Sequence, residues 1–488
     1  HDLTVQNGQA DTSFNEVPGG ASFRMYPNYP DLFLQFSDSK VEWKYMPCWN
    51  NRITYSDEYR RGFDCTEDLF TPGVFSLRLS PGASVVLAAG TVEAAPASLK
   101  RSYNAYHSKL PEVSGYRDQL SLCADTLITS HNGVKMINAG LSWMYTGLLR
   151  ESLIALPGLV LYGKGDMREF EEILDNIVAD EQERLFRRTT QVEAPLYFAT
   201  ALQAYIFYGA DPAAVWKKYG VIMRDIVASY LPGERAEVSM QPDGLLWAEQ
   251  GGSALSWMNA YVDGRPVTER AGYQVETNAL WYNAVCFAIE MEKKYGAKGS
   301  EFIPRWSTVR DLVKANYQKT FLNERLGCLA DYVDAGGQHT EIRPNQLYAL
   351  WVPYSPVDDS MAPSIFRVVS GELVTTRGIR TLSPRDEAYR GVYDGSQYDR
   401  DMAYHQGSTR PFLLEQYVAV GLRVQGPSFL PRIEELTKGF YEDLNKHGVG
   451  AFSELYDGDP PQEPHGAISS ALSTAALLSI EHMLNENR

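Results

Sequence analysis

Glu276-Thr277-Asn278-Ala279-Leu280-Trp281-Tyr282-Asn283 opens a run to Lys294 in which Leu280, Ala284, Val285, Ala288 and Ile289 recur at helical spacing. Apolar residues three and four apart share one helix face, so residues 276–294 are predicted as one helix with a buried side. The same period recurs on both sides of this run. Helices are predicted near 114–128, 150–162, 167–187, 193–208, 301–318, 342–350, 360–370, 410–424, 431–445 and 465–485. Residues 167–187 are charged and amphipathic and end before Thr189-Thr190, while 193–208 place Leu196, Ala199, Leu202 and Ile206 on one face. Asp211-Pro212 supplies an N-cap and a first-turn proline for one more. Roughly a dozen helices spread over residues 106–488 fit a closed ring of helical hairpins, an (α/α)6 barrel. The ring rests on the count of elements, because no exact internal repeat is visible. Between the helices lie glycine- and aromatic-rich loops at 232–275, 326–341, 371–409 and 447–464. Loops longer than about 15 residues are usually functional, and a ring gathers its loops at its ends, where a pocket can form.

Working back toward the N-terminus, residues 1–105 read as β. Phe75-Ser76-Leu77-Arg78-Leu79-Ser80 alternates apolar and polar, with Pro72-Gly73 and Pro81-Gly82 as turn signals at its ends. Val85-Val86-Leu87 suggests a further strand, and Ala94-Ala95-Pro96-Ala97-Ser98 an exit linker. The segment is expected to be a β-sandwich, incomplete at its front. The chain opens on His1, which points to removal of a preceding segment.

Composition sets outer limits. The 488 residues are enough for two or three domains, and 44% hydrophobic content can build a large core. A net charge of −16 argues against nucleic acid or an anionic membrane as partner, since both are polyanions. No run of about 18 apolar residues exists, so no membrane span is expected. Cys48, Cys65, Cys123, Cys286 and Cys328 are scattered and odd in number. Without a Cys-x-x-Cys pair they argue against zinc, and as buried thiols they favour the cytoplasm, with a secreted or periplasmic location still open. His131, His339 and His465 lie far apart and suggest no metal triad. Thirty tyrosines and nine tryptophans could stack on sugar faces, although rings are also ordinary core material.

Several loop segments carry a family resemblance: Arg343-Pro344-Asn345-Gln346, Gly378-Ile379-Arg380-Thr381-Leu382-Ser383-Pro384, Arg400-Asp401-Met402-Ala403-Tyr404-His405-Gln406-Gly407 and Ser453-Glu454-Leu455-Tyr456-Asp457-Gly458-Asp459. With Ile154-Ala155-Leu156-Pro157-Gly158-Leu159, Asp243-Gly244-Leu245-Leu246-Trp247-Ala248 and Glu276-Thr277-Asn278, they resemble the glycogen-debranching family of archaeal and bacterial type, in that family's order. Residues 55–79 resemble the end of its N-terminal β-sandwich. The resemblance implies an (α/α)6 barrel, no metal or organic cofactor, an α-glucan or oligosaccharide substrate, and inverting hydrolysis of α-glucosidic bonds. Such chemistry needs an acid on the leaving oxygen and a base on the attacking water, with carboxyls about 6.5–9.5 Å apart.

By that resemblance Glu454 is the general base. The family's acid aspartate, in a Trp-Met-Asp-Ala segment, falls on Asn259 of Trp257-Met258-Asn259-Ala260, and an amide cannot act as a carboxylic acid. Glu249 and Asp263 are the nearby acids that could substitute. The family's Arg-Asp pair is Arg150-Glu151, another family aspartate is Glu193, and a family tryptophan is Arg410. The substrate-binding set is expected to be Trp143, Arg150, Glu151, Trp257, Glu276, Arg343, Gln346, Asp401, His405 and Gln406. Carboxylates and arginines pair with sugar hydroxyls, and tryptophan gives a platform. Each has a plainer alternative. Trp143 and Trp257 could be core, Glu276 a helix-start charge, Arg343 a loop clamp, His405 a satisfied buried histidine and Glu454 a solvated loop residue.

Two functions therefore stand against each other: a divergent inverting α-glucosidase, and a sugar-binding relative impaired by Asn259. A helical interaction scaffold would show a repeat period, which is missing. Trehalase-like and glucoamylase-like enzymes are near neighbours, but the Arg-Pro-Asn-Gln and Tyr-His-Gln-Gly segments favour the debranching family.

Overall fold

The computed structural model describes residues 4–38, 40–110, 112–144, 147–181, 191–444 and 446–488. The chain forms two compact units, His1–Glu112 with Asp394–Gln397, and Val113–Tyr393 with Tyr398–Arg488.

In the first unit, strands β1 (Asn15–Val17), β2 (Gly20–Phe23), β3 (Leu32–Phe36) and β6 (Leu87–Gly90) form an antiparallel sheet in the order β1-β2-β3-β6. Strands β4 (Glu42–Thr54) and β5 (Thr66–Ser76) form a second, two-stranded sheet. Phe23 and Phe36 of the first sheet meet Trp43 and Phe75 of the second, with ring centroids 5.5 Å (Phe23–Trp43) and 5.0 Å (Phe36–Phe75) apart. Two expectations are corrected here. The strand ends at Ser76, and Pro72 lies inside it, where the register slips between Tyr45 and Cys48 on the partner strand. Proline has no N–H for the ladder, and a bulge absorbs that loss without ending the strand. Residues 94–98 are no linker, because Pro96 opens a helix running to His107 from a first-turn position that needs no N–H donor.

The second unit is mainly helical. Its main helices are α1 (Tyr116–Leu127), α2 (Leu149–Leu156), α3 (Met167–Glu181), α4 (Tyr197–Tyr208), α5 (Pro212–Ala228), α6 (Val275–Tyr295), α7 (Phe302–Phe321), α8 (Tyr348–Trp351), α9 (Ala362–Glu372), α10 (Leu414–Gln425), α11 (Leu430–Asp443) and α12 (Ala471–Asn487). The stretch of helix expected over 182–187, with its end at Thr189-Thr190, lies outside the described residues.

The even-numbered helices touch in cyclic order. α2 packs on α4, α4 on α6, α6 on α8, α8 on α10, α10 on α12, and α12 returns to α2. Odd-numbered helices lie against them, for example α5 and α7 on α6 and α9 on α10. Burial follows from this placement. α6 is covered on nearly every side from Val275 to Ile289, as expected of a helix surrounded by others. α5 begins as its sequence dictates, with the Asp211 carboxylate accepting from Ala213 N at 3.2 Å and Ala214 N at 3.3 Å. Beyond α2 the chain continues through a wider helical turn, Pro157–Tyr162. A Cβ on Gly158 would lie 2.3 Å from the Ala475 carbonyl, so glycine lets this turn and α12 approach closely.

The long loops are more ordered than their sequences suggest. Val238–Met240, Leu246–Ala248, Gly272–Gln274, Tyr332–Asp334 and Gly337–His339 form one antiparallel sheet. Val374–Thr375, Gly378–Arg380, Thr409–Arg410, Leu455–Tyr456 and Pro464–His465 form another. Strands of two or three residues are too short to display a period of two. Pro464–His465 and Ser469–Ser470 also occupy the start of the helix expected at 465–485, which begins at Ala471. No helix among the described residues is long and apolar enough to cross a membrane.

Candidate active site

A cavity of about 330 Å³ opens where the even-numbered helices begin. Arg150 and Glu151 reach it from the first turn of α2, Tyr197 and Tyr348 open α4 and α8, and Leu472 lies at the start of α12. The loops between the helices add Trp257, Asn259, Tyr404, His405, Arg410 and Glu454. The volume is at the small end of ligand pockets, roughly 300–1,000 Å³.

Glu454 is nearly buried, with 12% of its side chain exposed. Its position is set by strand pairing. Arg410 ends one short strand, Glu454 immediately precedes another, and the two pair through Thr409 and Tyr456. The Arg410 Nη1 donates to Glu454 Oε1 at 2.9 Å, and the Tyr404 hydroxyl donates to the same oxygen. Ala467 N donates to Oε2 at 3.1 Å. Gly466 makes room for the carboxylate: its φ is +71°, and a Cβ there would sit 2.6 Å from Oε2. The Arg410 guanidinium lies over the Tyr404 ring, 4.0 Å from its centroid, while its Nε is buried without a hydrogen-bond partner.

Across the lining, Arg150 donates to Glu151 Oε1 from Nε at 3.0 Å and Nη2 at 2.6 Å, and to Glu193 Oε1 from Nη1 at 3.3 Å. Glu151 Oε2 has no hydrogen-bond partner. Glu193 is fully buried behind this pair, and burial raises its carboxyl above the usual range against the opposing pull of Arg150. His405 packs edge-on to Trp257 at 5.4 Å. Burial, then the charges of Arg410, Arg343, Arg150 and Arg270, hold it well below the ordinary histidine range, so it is neutral at neutral pH. Its Nδ1 lacks a partner. Trp257 Nε1 donates to Asn345 Oδ1 at 2.8 Å, which fixes the ring that walls the cavity.

Six of the candidate catalytic and binding residues thus line one cavity: Arg150, Glu151, Trp257, Asn259, His405 and Glu454. The others lie outside its lining. Trp143 is 61% exposed. Glu249 is exposed and accepts from Trp247 Nε1 at 2.9 Å, and Asp263 is on an exposed hairpin turn with φ +49°. Glu276 is fully buried, with both oxygens on Arg270, which also holds Asp331 at 2.6 Å. Arg343 donates to the carbonyls of Thr381 at 3.0 Å and His405 at 2.7 Å and to Gln406 Oε1, clamping the loop behind the cavity. Gln346 bonds to Arg343 O at 3.0 Å, and Asp401 is half-buried.

Tyr404, Tyr197, Tyr348 and Phe412 line the cavity without having been picked out as binding residues. Tyr404 and Phe412 flank the segment that carries His405 and Arg410. Tyr197 and Tyr348 sit close to helix starts, a position the helical period does expose. Among the described residues, Glu151 and Glu454 are the carboxylates of the lining, and no group of three or more His, Cys, Asp or Glu could hold a metal ion.

Residues 117–479 match the family model for amylo-alpha-1,6-glucosidase, and residues 1–86 that for the glycogen debranching enzyme N terminal. No curated protein matches the sequence. Among solved structures, the chain is similar to a GH63 mannosylglycerate hydrolase from Thermus thermophilus, crystallised with Tris and D-glycerate. The TM-score is 0.50 and the identity 10%, over 75% of this chain and 99% of that one. At that identity the likeness is one of fold.

Proposed function

Because the chain belongs to the amylo-alpha-1,6-glucosidase family, a family of glycoside hydrolases, we propose that it is an inverting hydrolase of α-linked glucosides in glycogen-type or related oligosaccharides. On this reading the twelve helices named for the second unit are an (α/α)6 barrel, with α2, α4, α6, α8, α10 and α12 as its inner ring. Glu454 is the general base.

The observation that carries the proposal is the setting of Glu454 on the cavity wall. Three donors fix its carboxylate, two on Oε1 and one on Oε2. An ionised carboxylate has about four acceptor sites, so a lone pair on Oε2 remains for an attacking water. Arg410 holds this carboxylate in place through a charge-assisted hydrogen bond. The Arg150–Glu151 pair serves binding. Two N–H groups hold Glu151 Oε1, which leaves Oε2 to accept from a sugar hydroxyl. Trp257 and neutral His405 complete the wall against the ring.

The acid side favours a second reading. Asn259 occupies the cavity mouth where the family's acid belongs, and Glu249 stands outside the lining. General acid catalysis is worth about 10²–10⁴-fold, so a sugar-binding relative with impaired turnover is the alternative. An anomeric product assay on α-1,4- and α-1,6-linked gluco-oligosaccharides separates the two. Release of β-glucose that disappears in Glu454→Gln supports the hydrolase. Activity that emerges only in Asn259→Asp supports the impaired relative. No release by either protein from any α-linked substrate would overturn the hydrolase proposal.

A further inference from the structure

A second cavity of about 650 Å³ lies behind the first along the ring. The two share Ile154 and Tyr197, which form the partition between them. The front cavity is lined by the starts of the inner-ring helices. The rear one is lined by later turns of four of them, with Phe207 near the end of α4, Tyr295 at the end of α6, Trp351 at the end of α8 and Glu486 near the end of α12, and by Glu415 and Gln416 on the first turn of α10.

The charged side chains of the lining are mostly acidic. Among the described residues, Glu290, Glu415 and Glu486 line the rear cavity, against a single ammonium, Lys294. Lys294 is spent on Glu290 at 4.0 Å at the solvent side, and the His482 ring stacks on Tyr162 at 4.3 Å. Glu415, on the first turn of α10, has Ser479 as its hydrogen-bond partner and faces no cation in the lining. Burial pushes its carboxyl up to about 7, as expected for an acid lacking a counter-charge. The walls are aromatic, with Tyr162, Phe207, Phe287, Trp351 and Tyr354, and Phe207 is 73% exposed beside the opening. Aromatic faces together with a half-buried carboxyl are the surroundings that recognise a weakly hydrated cation, whose charge is attracted to the ring faces.

We propose that the rear cavity is a second binding site, distinct from the glycoside cavity, for an organic cation with an apolar body. Its charged head meets Glu415, and its hydrocarbon or aromatic part lies against the rings. An anion is repelled by the carboxylates.

The test is isothermal titration of the full chain with benzyltrimethylammonium and with neopentylbenzene, its uncharged carbon isostere. The cation is expected to bind once per chain, at least about tenfold more tightly than the isostere. Glu415→Gln, which keeps the shape of the side chain, should weaken the cation by about tenfold and leave the isostere unchanged. Ala204→Trp, which fills the cavity, should abolish binding of both. Glu454→Gln should leave both affinities as they were, so the outcome is independent of the hydrolase proposal. No binding of the cation at millimolar concentration overturns the proposal. So does equal affinity for cation and isostere, or a loss of cation binding in Glu454→Gln, which would place the cation in the front cavity.

Discussion

Arg410 Nη1 stands 2.9 Å from Glu454 Oε1, and the two side chains are only 6% and 12% exposed. The cation therefore completes a nearly buried ion pair in which Tyr404 is the third member, beneath the guanidinium and bonded to the same carboxylate oxygen.

Breaking that pair should be costly. Removing one partner of a buried ion pair typically destabilises by about 3–5 kcal/mol, because the remaining charge is left unpaired. Arg410→Ala is expected to lower stability by about 3 kcal/mol, and Arg410→Ala with Glu454→Ala by less than the sum of the single changes. Urea unfolding midpoints for the four proteins would measure this, and strict additivity would show that the pair does not couple.

Glu454→Gln keeps the volume and removes the proposed base. Hydrolysis should fall by about 10²–10⁴-fold, while binding of a non-hydrolysed oligosaccharide changes little. Parallel turnover and calorimetric binding measurements decide between a chemical role and a binding role for this carboxylate.

Asn259 makes a prediction about leaving groups. A glycosyl fluoride departs without being protonated, whereas a sugar alcohol needs an acid. With no carboxylic acid at the mouth, the protein should cleave α-glucosyl fluoride far faster than maltose, and Asn259→Asp should raise maltose hydrolysis with little change on the fluoride. The size of the effect is bounded by general acid catalysis at about 10²–10⁴-fold. Equal acceleration of both substrates in Asn259→Asp would rule out missing protonation as the limitation.

Glu415 should write a slope into stability against pH. Its folded carboxyl is raised from 4.5 to about 7 by burial. The folded state therefore holds a proton that the unfolded state has lost, and stability falls as pH rises between these values. The contribution is complete below about 4.5 and gone above about 7. Glu290, Lys294, His482, Glu486 and Tyr162 share its cavity, so the slope must be isolated by comparison. Melting temperatures of the parent should decline across that window relative to Glu415→Gln, whose amide does not titrate.

Glu276 illustrates a limit of sequence reading. Glutamate at a helix start beside a family-like segment reads as a sugar ligand. In the fold it is fully buried against Arg270, which also satisfies Asp331, and it does not reach the cavity lining. Trp143, an expected platform, is 61% exposed and lies outside the lining. Neither outcome can be read from the residue or its immediate neighbours, because burial depends on segments distant in the chain.

The sequence by itself determined the helices, through a period of 3.6 that needs only local information. It also carried the start of α5, through Asp211-Pro212, and the segments that hold Glu454 and Asn259, the residues proposed at the base and acid positions. What only the tertiary structure decided is who meets whom. The two- and three-residue strands that wall the cavity have no period of their own and exist because distant loops pair. The Arg410–Glu454 contact arises from one such pairing across 44 positions. The rear cavity with Glu415 exists because several helices end around the same space. Burial and the charges of remote neighbours set whether a carboxyl is ionised, locked or available, and those quantities are defined only once the chain has closed on itself.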